Sequence, residues 1–358
     1  MTVEETALFS PIKVGDVELK HRVVLAPLTR FRADKDNEVT DMQVKHYGER
    51  AAHGGSLLIT EATMVNPGSS GYDHTPGIWR ESQIGGWKKV FDEIHAKGSS
   101  AFMQLWHSGR CGNPEVLKKL GCDLVSSSDV PMDADSPTPR PLTKEEIKKL
   151  VGEYVQAAKN AIAAGADGVE IHCGNGYLMD QFMHENTNKR TDEYGGSIEN
   201  RARIVLEVAD GIIEAIGAQK LALRFSPWST FGGMDPGVSP IPQFSYIVSE
   251  LQRRANEGKQ LAYIHMIEPR VINWADIETA NTNRFVRDIW SGALIRAGGY
   301  NREDMLKDTA EDPKLLVAMG RYYTSNPDLV AKLKDNTPLV KYNRDTFYTP
   351  ATSVGYID

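Results

Sequence analysis

The sequence predicts an α/β protein: a single (β/α)8 barrel with an N-terminal hairpin and a loop insertion after its third strand. Short apolar runs alternate with stretches at helical spacing, the pattern of a parallel sheet covered by helices. About eight such units follow one another, which suggests a closed barrel rather than an open sheet. Residues suited to ligand work (Thr29, Gln104, His172, Arg224, Gly299 and Arg321) fall at or just after the ends of these runs. Closing the sheet gathers those ends on one face, where barrel enzymes place their sites.

The elements follow in order. The stretch 9–20 reads as a hairpin around Gly15-Asp16, expected to plug the barrel's N-terminal end. Strands are expected over 22–26, 56–62 and 100–105, the third continuing into Trp106-His107-Ser108-Gly109-Arg110. Helices are expected over 40–52, with Thr40 as N-cap, and over 83–97. A Gly-, Pro- and Ser-rich loop over 65–77 carries Tyr72, and 111–141 is a polar, turn-rich insertion of the length used for lids. Thr143-Lys-Glu-Glu146 is a capping box that opens a helix to about Ala164. The fourth strand begins at Gly168 and ends in the turn Gly174-Asn175-Gly176. Strands over 220–225, 261–267, 293–296 and 315–319 complete the set, with helices over 197–216, 241–256, 283–290, 302–308 and 328–334. Asp192 to Arg201 reads as a helix cap with Ser197 as N-cap. No linker divides the chain, so 1–358 reads as one domain.

Composition narrows the function classes. The chain has 358 residues, 41% hydrophobic and 25% charged, with a net charge of −7 and scattered basic residues, which argues against a nucleic-acid footprint. The cysteines, Cys111, Cys122 and Cys173, form no C-x-x-C pair and no disulfide framework, so a reducing, cytoplasmic setting is expected. No secretory h-region, membrane-length apolar run or lipidation signal is visible, so no membrane partner is expected. His95, His107, His172, His184 and His265 show no metal-ligand spacing; a metal-dependent barrel lyase or hydrolase is the different-class alternative, and no metal site is expected. No G-x-G-x-x-G follows a strand, so a Rossmann module is absent.

Three constellations carry chemistry. His172 and Asn175 can grip one oxygen atom between two hydrogen-bond donors, and Tyr177 can give a proton nearby; the bland reading is a turn in which Tyr177 packs. Gly298-Gly299 and Gly320-Arg321 follow adjacent strands and suit a phosphate, or else simply end those strands. Gln104, Arg224 and Thr29 suit a flat, carbonyl-rich heterocycle such as a flavin ring, or else Gln104 and Arg224 pair within the core. Tyr72, Trp106, Phe231, Trp274 and Tyr348 wall a pocket or pack. Cys173 reads as a small, quiet residue.

These residues resemble the old yellow enzyme family of FMN-dependent ene-reductases, most of all its fungal members. The matching stretches run from Ala26-Pro-Leu-Thr-Arg30 through Gln104-Leu-Trp106-His-Ser-Gly-Arg110, His172-x-x-Asn175-Gly-Tyr177-Leu, Asp180-Gln-Phe182, Asp192 to Arg201, Arg296-Ala-Gly298 and Gly320-Arg321 to Asp345-Thr-Phe-Tyr348. The resemblance implies non-covalent FMN, with Pro27, Thr29, Ala62, Gln104 and Arg224 at the ring or its chain and Gly298, Gly299, Gly320 and Arg321 at the phosphate. It implies His172 and Asn175 as the oxygen grip, Tyr177 as proton donor, and Tyr72, Trp106 and Tyr348 in the substrate pocket. The implied reaction is ping-pong: NADPH reduces the flavin, then an α,β-unsaturated aldehyde, ketone or nitroalkene is reduced at its activated C=C bond. A specialised fungal reductase of the ergot-alkaloid chanoclavine aldehyde type is the alternative. Monomer and homodimer are both left open. Cys173-Gly174, between His172 and Asn175, and the chain's stop at Asp358 are departures from the family pattern.

Overall fold

The structure, a computed structural model, describes residues 6–272 and 275–357. Eight parallel strands close into a barrel: β1 Val23–Leu25, β2 Leu57–Ile59, β3 Ser100–Trp106, β4 Gly168–Cys173, β5 Leu221–Phe225, β6 Tyr263–Ile267, β7 Leu294–Ala297 and β8 Leu315–Met319. Neighbours in the chain are neighbours in the sheet, and β8 returns to β1 with Val317, Ala318 and Met319 opposite Val23, Val24 and Leu25. A short strand, Thr63–Met64, pairs beside the end of β3. Helices α1 Asp41–Ala51, α2 Glu81–Ala96, α3 Lys144–Ala163, α4 Ile198–Ile216, α5 Ile241–Asn256, α6 Arg284–Ile289, α7 Arg302–Glu311 and α8 Leu329–Asp335 follow the strands in turn. The expected closed barrel is the observed one, with shifts of a residue or a few at element ends.

Side-chain alternation sorts each strand into two faces. On β4, Val169, Ile171 and Cys173 pack outward among the helices, while Glu170 and His172 point the other way, into the barrel. On β3, Met103 and Leu105 face the helices and Phe102 belongs to the inner cluster. That inner cluster joins Val24, Leu57, Phe102, Ala222, Tyr263, Ile295 and Leu316 to Val14 and Leu19. The last two belong to the antiparallel hairpin Ile12–Val14 and Val17–Leu19, which plugs the barrel floor as the sequence predicts.

Local chemistry explains the helix starts. Thr40 caps α1 and Gln43 bonds back to its backbone, a capping box. Thr143 and Glu146 do the same for α3, and Ser197 accepts from Asn200 N at the start of α4. The expected irregular insertion differs from the structure in two places. Asn113 caps a short helix, Pro114–Lys119, with Pro at its first position, and Val125–Ser126 pairs with Arg140–Pro141. A single-turn helix and a two-residue strand leave no periodic signal, so neither is legible in the sequence.

The C-terminal tail is strapped down by two buried arginines. Arg30 Nε donates to Phe347 O at 2.9 Å and Nη2 to Gly355 O. Arg32 donates to the carbonyls of Thr352, Thr346 and Val354 at 2.6, 2.8 and 3.0 Å. Both guanidiniums lie against the Tyr356 ring. Buried carbonyls stripped of such donors cost about 1–3 kcal/mol each. Arg32→Met is expected to destabilise the protein by about 3 kcal/mol in urea unfolding and to open 344–357 to limited proteolysis.

Candidate active site

The strand ends and their loops enclose one cavity of about 650 Å³, within the usual range for a small-molecule site. Its lining brings together Pro27, Thr29, Tyr72, Gln104, Trp106, His172, Asn175, Tyr177, Arg224, Phe231, Gly298, Gly299, Gly320, Arg321 and Tyr348. Two expected residues remain. Ala62 is buried in an apolar cluster with Met64 and Trp106, packed against Tyr72 and Tyr177, and is not itself among the lining residues. Trp274 lies outside the described residues.

The loop after β4 is built to hold its shape. Asn175 adopts φ +55° and Gly176 φ +71°. A Cβ on Gly176 would sit 2.3 Å from Phe231 O, so only glycine fits there. Asn175 N donates to Ser226 Oγ at 2.6 Å and Gly176 N to Asp180 Oδ2 at 2.9 Å, while Gln181 Nε2 donates to Gly176 O at 2.7 Å. Asp180 is itself fully buried and 3.1 Å from His184 Nε2. Tyr177 then opens the short helix Leu178–Met183. Its ring meets His172 edge-on at 5.1 Å between centroids and Trp106 at 5.0 Å. Tyr72 stacks on Trp106 at 5.7 Å and on Phe31 at 5.8 Å, and Phe31 touches Tyr348, so one aromatic wall runs from the loop to the tail.

Protonation states suit the grip. Burial, with Arg224 and His265 nearby, pushes His172 well below its usual range, so the imidazole is neutral. Burial holds the Tyr177 phenol well above its usual range, so it keeps its proton. The Cys173 thiol is buried on the helix side of β4 and is pushed up by burial. The Cys111 thiol, behind the loop, is pushed up to about 12 by burial.

The middle of the cavity fits a flat polar ring. Arg224 Nε, His172 Nδ1 and Trp106 Nε1 are buried with no hydrogen-bond partner among the described residues. Such groups normally find partners, so a ligand with acceptor atoms matches them. At the far end Gly298 and Gly299 adopt φ +108° and +60°, presenting bare backbone beside Arg321, which here bonds Asp276 and Tyr342. Arg270, outside the lining, braces this turn by donating to Gly298 O and lies over the Tyr300 ring. These donors suit a phosphate. Among the described residues no group of three or more His, Cys, Asp or Glu could hold a metal ion.

Several lining residues are not found by reading the sequence for strand ends alone. Ser226 and Trp228 follow β5 directly, and extending the rule that finds Arg224 by a few residues reaches them. Phe31, at φ +57°, and the tail residues Arg344 and Phe347 carry no local signal. Glu170 and His265 leave a trace as polar residues alternating with apolar ones on β4 and β6. Gln104 lines the cavity and bonds Glu170, rather than Arg224, in the core.

Over residues 7–339 the chain matches the family described as NADH:flavin oxidoreductase / NADH oxidase. It is 44% identical to enoate reductase 1 of Kluyveromyces lactis, across 99% of this chain and 94% of that protein. It is 45% identical to a protein of Candida albicans named "Probable NADPH dehydrogenase", across 96% of this chain and 88% of that protein. Its fold matches the crystal structure of old yellow enzyme from Pichia sp. AKU4542 with a TM-score of 0.94 at 44% identity, covering 99% of this chain and 93% of that one.

The buried histidines set an acid limit on stability. Burial drives His107 down to about 3, and burial with His53 takes His21 to about 4; His46 and His172 are also pushed down. As pH falls through about 6.5 the unfolded chain takes up these protons before the folded one does, so stability falls with pH. His184, held up beside Asp180 despite its burial, and Glu61, pushed up to about 7 by burial, work the other way. Urea unfolding should show lower stability at about pH 5 than at about pH 7.5, by about 2–4 kcal/mol, and His107→Gln should shrink the difference.

Proposed function

The chain belongs to the NADH:flavin oxidoreductase / NADH oxidase family, and on that premise we propose that it reduces the activated C=C bond of α,β-unsaturated aldehydes, ketones or nitroalkenes at the expense of NADPH. The observation that carries this reading is the convergence of His172, Asn175 and Tyr177 on one wall of a cavity that also holds the unpartnered Arg224 Nε and the Gly298–Arg321 end.

In this reading Pro27, Thr29, Gln104 and Arg224 would hold the FMN ring, and Gly298, Gly299, Gly320 and Arg321 its phosphate. Bound FMN would supply the hydride, a hydrogen with its electron pair drawn from NADPH, that the acceptor's β-carbon takes up. His172 and Asn175 orient the acceptor by its oxygen. A neutral imidazole and a carboxamide can each donate one hydrogen bond, and both strengthen as negative charge builds on that oxygen. Tyr177, kept protonated by its desolvated setting, gives its proton to the α-carbon. The proton is later replaced from solvent. Trp106, Tyr72, Phe231 and Tyr348 present flat faces that favour planar conjugated acceptors and exclude water. The ergot-type aldehyde is a narrower acceptor within the same reaction.

The test is optical. The purified holoprotein should be yellow, should bleach anaerobically with NADPH and should recover colour with 2-cyclohexenone; a protein that cannot be reconstituted with FMN refutes the proposal. Tyr177→Phe should bleach at a rate within about twofold of the parent while colour recovery slows by about 100-fold or more. Equal slowing of both phases would remove Tyr177 from the proton-donor role.

A further inference from the structure

Glu170 lies in the middle of β4 with its side chain inside the barrel and no exposure to solvent. Gln104 Nε2 donates to its Oε1 at 2.7 Å, and His265 Nδ1 meets its Oε2 at 2.9 Å. Both partners are buried, Gln104 opposite Glu170 in the β3–β4 register and His265 on β6. Arg224, on β5 between them, acts on the same carboxylate through space. Burial alone would raise the Glu170 carboxyl, but His265, Arg224 and Gln104 more than offset this and hold it below the usual range. Burial and Arg224 push His265 down against the pull of Glu170, so a neutral imidazole donates through Nδ1 to a carboxylate anion.

Stability does not account for this acid. Taking a carboxylate out of water costs several kcal/mol, and apolar side chains of similar volume often serve a core as well or better. What Glu170 touches does account for it. A carboxylate only accepts hydrogen bonds, so Gln104 must turn its amide nitrogen inward, which leaves its carbonyl oxygen for an N–H donor in the cavity. The Arg224 guanidinium, also at the cavity, has its charge balanced from below.

Resting on the flavin reading above, we propose that Glu170 is a positioning residue for the cofactor: by holding Gln104 and by balancing Arg224 from beneath the cavity, it sets how tightly FMN is held and at what potential it is reduced. Reduction adds negative charge to the flavin ring. A fixed anion nearby opposes that charge, and removing it while leaving Arg224 in place favours it.

The experiment is a spectroelectrochemical titration of reconstituted holoenzyme, with FMN affinity measured by fluorescence quenching. Glu170→Gln keeps the shape and removes the charge, and its midpoint should move to more positive potential. Glu170→Asp keeps the charge but is one methylene too short to hold both Gln104 and His265. Its midpoint should stay at the parent value while FMN binding weakens about tenfold. An unmoved Glu170→Gln midpoint with FMN bound at full stoichiometry overturns the proposal. If Glu170→Gln does not fold, the Glu170→Asp protein decides alone: parent affinity, or a midpoint displaced to positive potential, overturns it. Failure of the parent protein to bind FMN at all would instead refute the functional reading, a separate outcome from tight binding with an unmoved potential.

Discussion

Closure of the strand ladder is the constraint on which the rest depends. Pairing of β8 with β1 removes both sheet edges and brings eight strand ends into one ring. The register of each strand then decides which residues face that ring. A slip of one residue on β4 would turn His172 toward the helices and bring Cys173 inside. The outer faces of the strands, packed on amphipathic helices, hold that register with a large apolar contact.

Within the closed barrel, polarity changes with depth. The floor is apolar, with Val14 and Leu19 of the hairpin under Phe102 and Tyr263. The middle layer holds the Gln104, Glu170 and His265 network, where water cannot reach. The mouth carries His172 Nδ1, Arg224 Nε and Trp106 Nε1, each buried with no hydrogen-bond partner among the described residues. A dry floor and a charged middle layer strengthen every polar contact made above them, because the effective dielectric is low. The tail completes the mouth: Arg30 and Arg32 pin the backbone that carries Phe347 and Tyr348 to the cavity rim.

Much of this is legible in the chain because barrel strands repeat one rule. Apolar runs mark the strands, an N-cap at Thr40 and a capping box at Thr143 mark helix starts, and polar residues at strand ends mark most of the cavity. The rule fails where contacts are long-range. Arg344 and Phe347 reach the cavity only through the arginine strap, whose partners are more than three hundred residues away in sequence. Glu170 is hard to read because a buried acid inside an apolar run looks like an interruption, and only its partners on β3 and β6 give it meaning.

The loop after β4 thus joins two requirements. Its glycine and Asn175 geometry sets the grip, and the hydrogen bonds with Ser226, Asp180 and Gln181 keep that geometry before any ligand arrives. In the proposed reaction this loop would hold the acceptor by its oxygen while the same cavity holds FMN. Crystallography of the FMN-loaded protein with 4-hydroxybenzaldehyde tests that placement most directly. The phenolic ligand should lie flat against the flavin, with its oxygen within hydrogen-bond distance of both His172 and Asn175. A ligand bound outside this cavity, or one lying over the flavin with its oxygen turned away from His172 and Asn175, would contradict it.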